Sequence, residues 1–538
     1  MLGPLALAPA ADGQTCDGEP LLSEVARSAG LVFVHDRGAT GGKYNPETMG
    51  AGLSWLDYDG DGWLDLYVVQ SGPFPPDGAI SAANRLFRNR GDGRFEDVTG
   101  RSAAGDRGYG QGVVAADVDG DDDTDLFLAN YGPDRLLLNR GDGVFEDRTA
   151  ETGLVSDGWS SAAALADVDR DGDLDLYLVH YLEHDPETEP FCANPETGQR
   201  WYCDPSVFEG KPDRFFRNLG DGRFQDATEA SGFGAADGKG MGVLLVDLND
   251  DRWVDVYVTN DMTWNFLFVN RGDGTFEDLS LLSGAAVSRE GLPEAGMGVA
   301  VGDVDGDLDA DLTVTNYDVQ TNTLYLNGGR FRFEDATAGS GFGLASFNLV
   351  GFGLVLVDFD RDGNLDAFVA NGHTVETPAR ANVHYAQPDL LLLGDGQGGF
   401  VSAPCLLPPE GPTVSRGIAA ADYDGDGDPD VAVQRSGGAL ALMRNEVADG
   451  QWLGLELHGN GQNTKGVGAR VEAVTDRGRQ VRWVLAGDSY QSSSDPRLLF
   501  GFEKGTLIER LIVDWPTGGR QTLMSPRAGL YYHLREPG

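Results

Sequence analysis

A nine-residue phrase, Asp57-Tyr-Asp-Gly-Asp-Gly-Trp-Leu-Asp65, recurs in variant form from Asp117, Asp167, Asp247, Asp303, Asp358 and Asp422, giving seven copies in 538 residues. Acids alternate through its first half, and another acid closes it. Alternate carboxylates converge only if the backbone curls around a common centre, and Gly62 permits that turn. Crowded like charges call for a cation among them. Several hard oxygens per site suit calcium, and the first half of the phrase has the spacing of an EF-hand loop. It is no EF-hand, because no glutamate follows at the twelfth position and strand-like runs flank it.

The expected ligands are the side chains at positions 1, 3, 5 and 9 and the backbone carbonyl at position 7. In the first copy these are Asp57, Asp59, Asp61, Asp65 and Trp63, and in the second Asp117, Asp119, Asp121, Asp125 and Asp123. The third offers Asp167, Asp169, Asp171, Asp175 and Asp173. The fourth is the weakest, with Asp247, Asn249, Asp251, Asp255 and Trp253, because Asn249 replaces an acid and Arg252 the glycine. Asp303, Asp305, Asp307, Asp311 and Asp309 form the fifth, which has Leu308 where glycine is wanted. Asp358, Asp360, Asp362, Asp366 and Asn364 form the sixth, and Asp422, Asp424, Asp426, Asp430 and Asp428 the seventh.

A second phrase alternates with the first. Leu86-Phe-Arg-Asn-Arg-Gly-Asp-Gly-Arg-Phe-Glu-Asp-Val-Thr99 returns from Leu136, Phe215, Leu267 and Leu324, and in degenerate form from Leu390. It reads as strand, tight turn, strand. Gly-x-Gly pairs such as Gly50/Gly52 and Gly296/Gly298 precede most acid loops and mark strands crowded by neighbouring backbone. One unit is therefore four strands. Seven units, spaced 50 to 80 residues apart, predict an all-β, seven-bladed β-propeller over residues 20–448. Leu21 to Gly30 resembles the outer strand of a unit and is expected to complete the seventh blade. Residues 449–538 lack acid loops, alternate apolar with polar residues, and predict a small β-sandwich-like domain.

The chain has 40 basic and 86 acidic residues, a formal charge of −46, and 33 of the acids lie in the seven loops. The acidity is thus concentrated where metal is expected; up to seven calcium ions would bring the charge to about −32. Such a surface disfavours nucleic acid and anionic membranes. No stretch approaches the ~18 apolar residues of a membrane-spanning helix. Residues 1–19 look like the tail of a secretory leader, with Ala8-Pro-Ala10 as a cleavage site, so an extracellular location is expected. Cys192 and Cys203 flank an insertion and are expected to pair, leaving Cys16 with Cys405. Zinc at the cysteines is disfavoured, since neither CxxC nor a neighbouring histidine pair occurs.

The acid loops resemble FG-GAP/VCBS repeats. Gly466-Val-Gly-Ala-Arg-Val471, Gly487-Asp-Ser-Tyr-Gln-Ser492, Leu499-Phe-Gly-Phe502 and Val513-Asp-Trp-Pro-Thr-Gly518 resemble an ASPIC/UnbV domain. Tyr202-Cys-Asp-Pro205, Gly210-Lys-Pro-Asp213, Asn371-Gly-His373 and Tyr385-Ala-Gln-Pro388 fit the same assignment. Together they resemble the cartilage acidic protein family, which implies a secreted, calcium-binding extracellular protein and names no reaction.

Other features have simpler uses. Arg-Gly-Asp at Arg90, Arg140 and Arg271 falls inside the tight turn, where Gly-Asp-Gly serves the backbone. His180 and His184 follow a strand and are read as loop histidines, not as a metal pair. His373, in a phrase that ends an inner strand at one propeller face, is a candidate general base. Trp159, Trp201, Tyr202 and Trp264 could stack on a sugar or partner, but core or insertion packing is the favoured use of each. Paired acids suit a polysaccharide hydrolase or lyase, but metal ligation uses nearly all of them. The expected function is a non-enzymatic, extracellular binding or adhesion module for a glycan or protein. A structural component formed by self-association is the alternative.

Overall fold

A computed structural model describes residues 20–76, 82–194, 197–234, 236–376 and 383–538. Each repeat unit forms an antiparallel meander. In the first, Leu53–Leu56, Asp65–Val68, Arg85–Asn89 and Phe95–Asp97 pair in that order. The acid loop joins the first strand to the second, and the Asn-x-Gly-Asp-Gly turn joins the third to the fourth. Burial follows this order: Leu53–Leu56 is buried throughout, whereas in Phe95–Asp97 only the phenylalanine is. Inner strands must therefore be apolar on both faces, which is why they read as runs rather than alternations.

Seven four-stranded sheets of this kind occur among the described residues. Their first strands neighbour one another in a closed cycle, from Leu53–Leu56 round to Ser415–Ala421 and back. Apolar side chains fill the spaces between sheets; Trp55 of the first stacks on Tyr423 of the seventh, ring centroids 6.1 Å apart. The seventh sheet takes its fourth strand from the N-terminal side: Leu22–Glu24 pairs antiparallel with Ala441–Asn445, Leu22 opposite Asn445. That pairing covers the outer edge of Ala441–Asn445.

Beyond the ring, Gln451–His458 lies between Leu498–Phe502 and Tyr531–Arg535, antiparallel to the former and parallel to the latter. A second sheet orders Arg479–Trp483, Arg470–Thr475, Ile508–Asp514 and Arg520–Met524. The connection between Trp483 and Leu498 leaves this domain and enters the centre of the ring. Ala486 O accepts from Leu165 N (2.9 Å), Gln491 O from Val113 N (3.1 Å) and Ser493 O from Trp55 N (3.1 Å). Ser489 donates its amide to Val299 O at 2.9 Å, while its hydroxyl accepts from Leu354 N at the same distance. Ser494 Oγ accepts from Ala420 N at 3.1 Å. This segment thus satisfies backbone groups on the first strands of six sheets, and Tyr490, fully buried, packs edge-on against Phe352.

The Gly-x-Gly pairs are explained by the same crowding. A Cβ on Gly52 would lie 1.7 Å from Gln491 O, and one on Gly298 would lie 2.1 Å from Phe352 O of the next sheet. Cys192 and Cys203 are disulfide-bonded, their Cα atoms 5.2 Å apart. Cys405 is also disulfide-bonded; residues 1–19, with Cys16 and the expected leader, lie outside the described residues.

Gly52→Ala forces the central segment off its strand and is expected to destabilise the protein by about 3 kcal/mol. Denaturant unfolding checks this, with Gly411→Ala as control, since a Cβ there meets nothing within 4 Å.

Candidate functional site: the acid-loop face

Each acid loop has the same backbone whether or not it has glycine. Positions 4 and 6 are left-handed in all seven, with φ from 58° at Arg361 to 101° at Gly363. Asp122, Arg252 and Leu308 hold this conformation at position 6 with φ of 74°, 71° and 77°. For such residues it costs about 1 kcal/mol, so the surrounding bonds impose it. The first acid supplies one of them: Asp57 Oδ2 accepts from Gly62 N at 2.8 Å, and Asp247 Oδ2 from Arg252 N at 2.7 Å. The fourth and fifth loops, which look irregular in sequence, are regular in shape.

The ninth acid has a second use. Asp125, 1% exposed, accepts from Val118 N through Oδ2 at 2.9 Å and from Asn139 N through Oδ1 at 2.7 Å. Asn139 then reaches the preceding sheet, donating Nδ2 to Tyr58 O at 2.8 Å. The relay recurs: Asn218 donates to Val118 O at 2.8 Å, Asn270 to Val168 O at 2.7 Å, and Asn327 to Leu248 O at 2.9 Å. Asn445 reaches Phe359 O and Asn89 reaches Tyr423 O, both at 2.9 Å, which carries the relay across the closure of the ring. In the degenerate sixth hairpin Gly394 replaces the asparagine, and Gly398 N takes its place on Val304 O at 2.9 Å. The turn asparagine, which in sequence looks like a hairpin residue, is an inter-sheet bond.

The carboxylates are crowded and poorly solvated. Burial, reinforced by neighbouring acids, pushes Asp65 and Asp428 up to about 8. Asp311 also reaches about 8, through burial against two amide bonds that oppose the rise. Burial likewise raises Asp167 and Asp358 to about 7, and Asp119, Asp247 and Asp424 to about 6. Asp125, Asp175, Asp255, Asp366 and Asp430 are driven well above the ordinary carboxylate range by the same cause. Oδ1 atoms of Asp119, Asp167, Asp424 and Asp428 are buried without a hydrogen-bond partner. Oxygens of Asp57, Asp59 and Asp61 come within 4.8 Å of one another, as do those of Asp117, Asp119 and Asp125, of Asp167, Asp169 and Asp171, and of Asp303, Asp305 and Asp311. Buried oxygens without partners, grouped at this spacing and with no sulfur or imidazole among them, fit a hard divalent cation.

The loops are not equivalent. Arg88 donates to Asp59 at 2.5 Å and to Asp61 at 2.6 Å, and Arg217 approaches Asp169 at 3.2 Å. These guanidiniums already neutralise part of the first and third loops. Asn249 Nδ2 donates to Asp251 at 2.9 Å, so the fourth loop relieves its repulsion without a charge.

The C-terminal domain sits on this face. Thr464 donates to Asp117 at 2.7 Å and Tyr531 to Asp422 at 2.8 Å, both first-position acids. Arg252 pairs with Asp514 at 3.3 Å, and Arg470 donates to Leu308 O at 3.2 Å.

Residues 57–128, 117–178, 247–314 and 303–369 match the family model described as FG-GAP-like repeat, and residues 459–538 match that described as ASPIC and UnbV. The chain carries FG-GAP-like repeats and a C-terminal ASPIC/UnbV domain. It is similar to cartilage acidic protein 1 of Homo sapiens, 27% identical over 287 residues, or 52% of this chain and 41% of that protein. The Xenopus tropicalis protein is 27% identical over 295 residues, 52% of this chain and 42% of its own length. The alignments therefore span less than half of these relatives. Among solved structures, an Agrocybe aegerita lectin specific for non-reducing terminal N-acetylglucosamine is 17% identical, with TM-score 0.37 over 66% of this chain and 79% of that one. YCF48 bound to D1 peptide is 10% identical, with TM-score 0.41 over 75% and 92%.

Other candidate residues in the FG-GAP ring have structural partners. His180 Nδ1 faces Pro212 O at 2.8 Å, whereas His184 Nδ1 faces the Tyr131 hydroxyl at 2.9 Å, so the two rings do not share a site. His373 follows the second strand of its sheet, Asp366–Asn371, not an inner first strand as expected. It is 3% exposed, its Nδ1 accepts from Val375 N, and burial lowers it to about 4. Trp159 and Tyr202 are buried, in keeping with core and insertion packing, whereas Trp264 is 46% exposed. The Arg-Gly-Asp motifs are hairpin turns, closed by Arg90 N to Arg94 O, Arg140 N to Val144 O and Arg271 N to Thr275 O.

Asn139→Ala leaves Tyr58 O without its inter-sheet donor and is expected to cost about 2 kcal/mol in denaturant unfolding. A pH dependence is also expected. Folded-state pKa values raised to between about 6 and 8 mean that the cation-free folded protein binds more protons than the unfolded chain over that range. Its melting temperature should therefore fall as pH rises from about 4 to 8, and saturating calcium should flatten that slope by replacing the protons.

Proposed function

We propose that this chain is a secreted, calcium-stabilised β-propeller that binds an extracellular glycan or protein through the face opposite its acid loops. Calcium would be held by the carboxylates at positions 1, 3, 5 and 9 and the carbonyl at position 7, supplying the charge that the crowded oxygens lack. Binding only the folded state, it would add about 2.7 kcal/mol per site at a hundredfold excess over its dissociation constant.

The observation that carries the binding face is a contrast between the two ends of the ring. One end is covered by the ASPIC/UnbV domain. In a meander the connections between second and third strands, and from each sheet to the next, lie at the other end. There Phe191 is 66% exposed, Val207 53%, Met262 44%, Trp264 46% and Val319 58%. Several apolar side chains on one surface, beside a disulfide-pinned loop, favour partner binding. The loop is anchored rather than loose: Lys43 lies 4.9 Å over the Tyr202 ring, and the Tyr202 hydroxyl donates to buried Glu47 at 3.2 Å. Exposed Phe191 is thereby presented on anchored backbone, with Trp264 exposed on a neighbouring connection.

A catalytic reading centred on His373 is disfavoured by its burial. Self-association through the more basic C-terminal domain is disfavoured because Lys465 and Arg470 already engage the chain's own acid loops. An extracellular location agrees with the disulfide and with the family resemblance.

An array of extracellular glycans and proteins, probed with and without calcium, tests this reading. Capture by the intact chain and its loss when residues 186–204 are replaced by a short linker are expected. Capture that survives both that replacement and Trp264→Ala would place the binding face elsewhere. Chelation is expected to lower the melting temperature by about 10 °C or more, restored by calcium.

A further inference from the structure

We propose that Glu456, His458 and His533 form a binding site for a transition-metal dication of the zinc class on the ASPIC/UnbV domain, chemically distinct from the acid loops. The site is built by strand pairing. Gln451–His458 runs parallel to Tyr531–Arg535, and the register sets Glu456 opposite His533. Side chains two residues apart share a face, which brings His458 to the same side as Glu456.

The carboxylate lies between the two imidazoles. Glu456 Oε2 is 2.9 Å from His533 Nδ1, and Glu456 Oε1 is 3.7 Å from His458 Nε2. The three ligand atoms all lie within 4.8 Å of one another, and the two rings stack 6.0 Å apart at 28°. Tetrahedral zinc with bonds of about 2.0–2.1 Å needs ligand atoms about 3.3 Å apart. The two carboxylate distances, made by different oxygens of Glu456, lie either side of that value, and with all three ligand atoms within 4.8 Å small side-chain rotations would bring them to one ion. Both imidazoles are directed at one carboxylate, one at each oxygen, which gathers three ligands at one point of the ladder.

Imidazole nitrogen selects zinc, copper or nickel over calcium, and two histidines with one carboxylate leave a fourth position for water or a partner's side chain. The side chains of Glu456, His458 and His533 are 26%, 20% and 63% exposed, so the site is open to solution. Arg535 stands opposite His458 in the ladder, and Lys465 is held near Asp122 at 3.3 Å. These cations border the site and weaken it.

The test is calorimetric titration of the full chain with zinc in saturating calcium, with cobalt absorption as a second readout. One zinc per chain is expected, with a cobalt spectrum typical of four or five nitrogen and oxygen ligands. His458→Ala, His533→Ala and Glu456→Gln should each weaken uptake at least tenfold, and Arg535→Gln should tighten it. Unchanged melting temperatures in the variants separate lost ligation from lost folding. Zinc uptake equal to wild type in the double variant His458→Ala/His533→Ala, or no uptake below millimolar zinc, would overturn the proposal.

Discussion

The structure depends on a buried carboxylate that does two tasks at once. The ninth acid of each loop fixes the loop start with one oxygen and the hairpin with the other, and the hairpin residue then holds the preceding sheet. In the second sheet the path runs from Val118 through Asp125 and Asn139 to Tyr58. A carboxyl group this deeply buried is tolerated only when both of its oxygens are satisfied. Repeating the relay around a ring turns a local requirement into a global one, because each sheet's loop carbonyl is satisfied only by its neighbour.

The proposed calcium ligands and this relay share the first and ninth acids. The first acid fixes the left-handed turn through amide bonds, as Asp247 does with Arg252, and the ninth acid fixes the sheet. Oxygens that the backbone does not use, such as Asp119 Oδ1 and Asp424 Oδ1, are the most open to a cation. The chain's own amide bonds therefore hold the loop shape, which accommodates Leu308 and Arg252 at the glycine position. Variation between loops lies in the flanking arginines, with Arg88, Arg217 and Arg444 beside three loops and Leu138 and Val269 at the matching positions of others.

Much of this was legible in the chain. The spacing of the two phrases implied four-stranded units, and the paired glycines implied close backbones, since Gly298 could not have a side chain against Phe352 O. Less was visible where distant segments meet. Nothing local marks Asn139 as a donor to Tyr58, because its hairpin position already explains an asparagine. Gly487-Asp-Ser-Tyr-Gln-Ser492 was recognisable as a motif, but its position inside the ring needs a second domain to deliver it. Trp159 looked exposed because it adjoins a loop; packing against Tyr181, at 4.9 Å, buries it. His458 and His533 lie far apart in sequence and meet only through a parallel ladder, which no periodicity reveals.

The strand Leu22–Glu24 is synthesised before any part of the ring, yet the carboxylate of Glu24 meets Leu442, 418 positions later. Until then the last sheet lacks an edge, and the segment that fills the bore has yet to emerge. Contacts of such sequence separation form slowly. Assembly is therefore a closing event rather than a progressive winding: the sheets must wait, partly formed, for the final hundred or so residues to arrive. A truncation within the C-terminal domain would thus be felt at the opposite end of the chain, as a ring with an open bore.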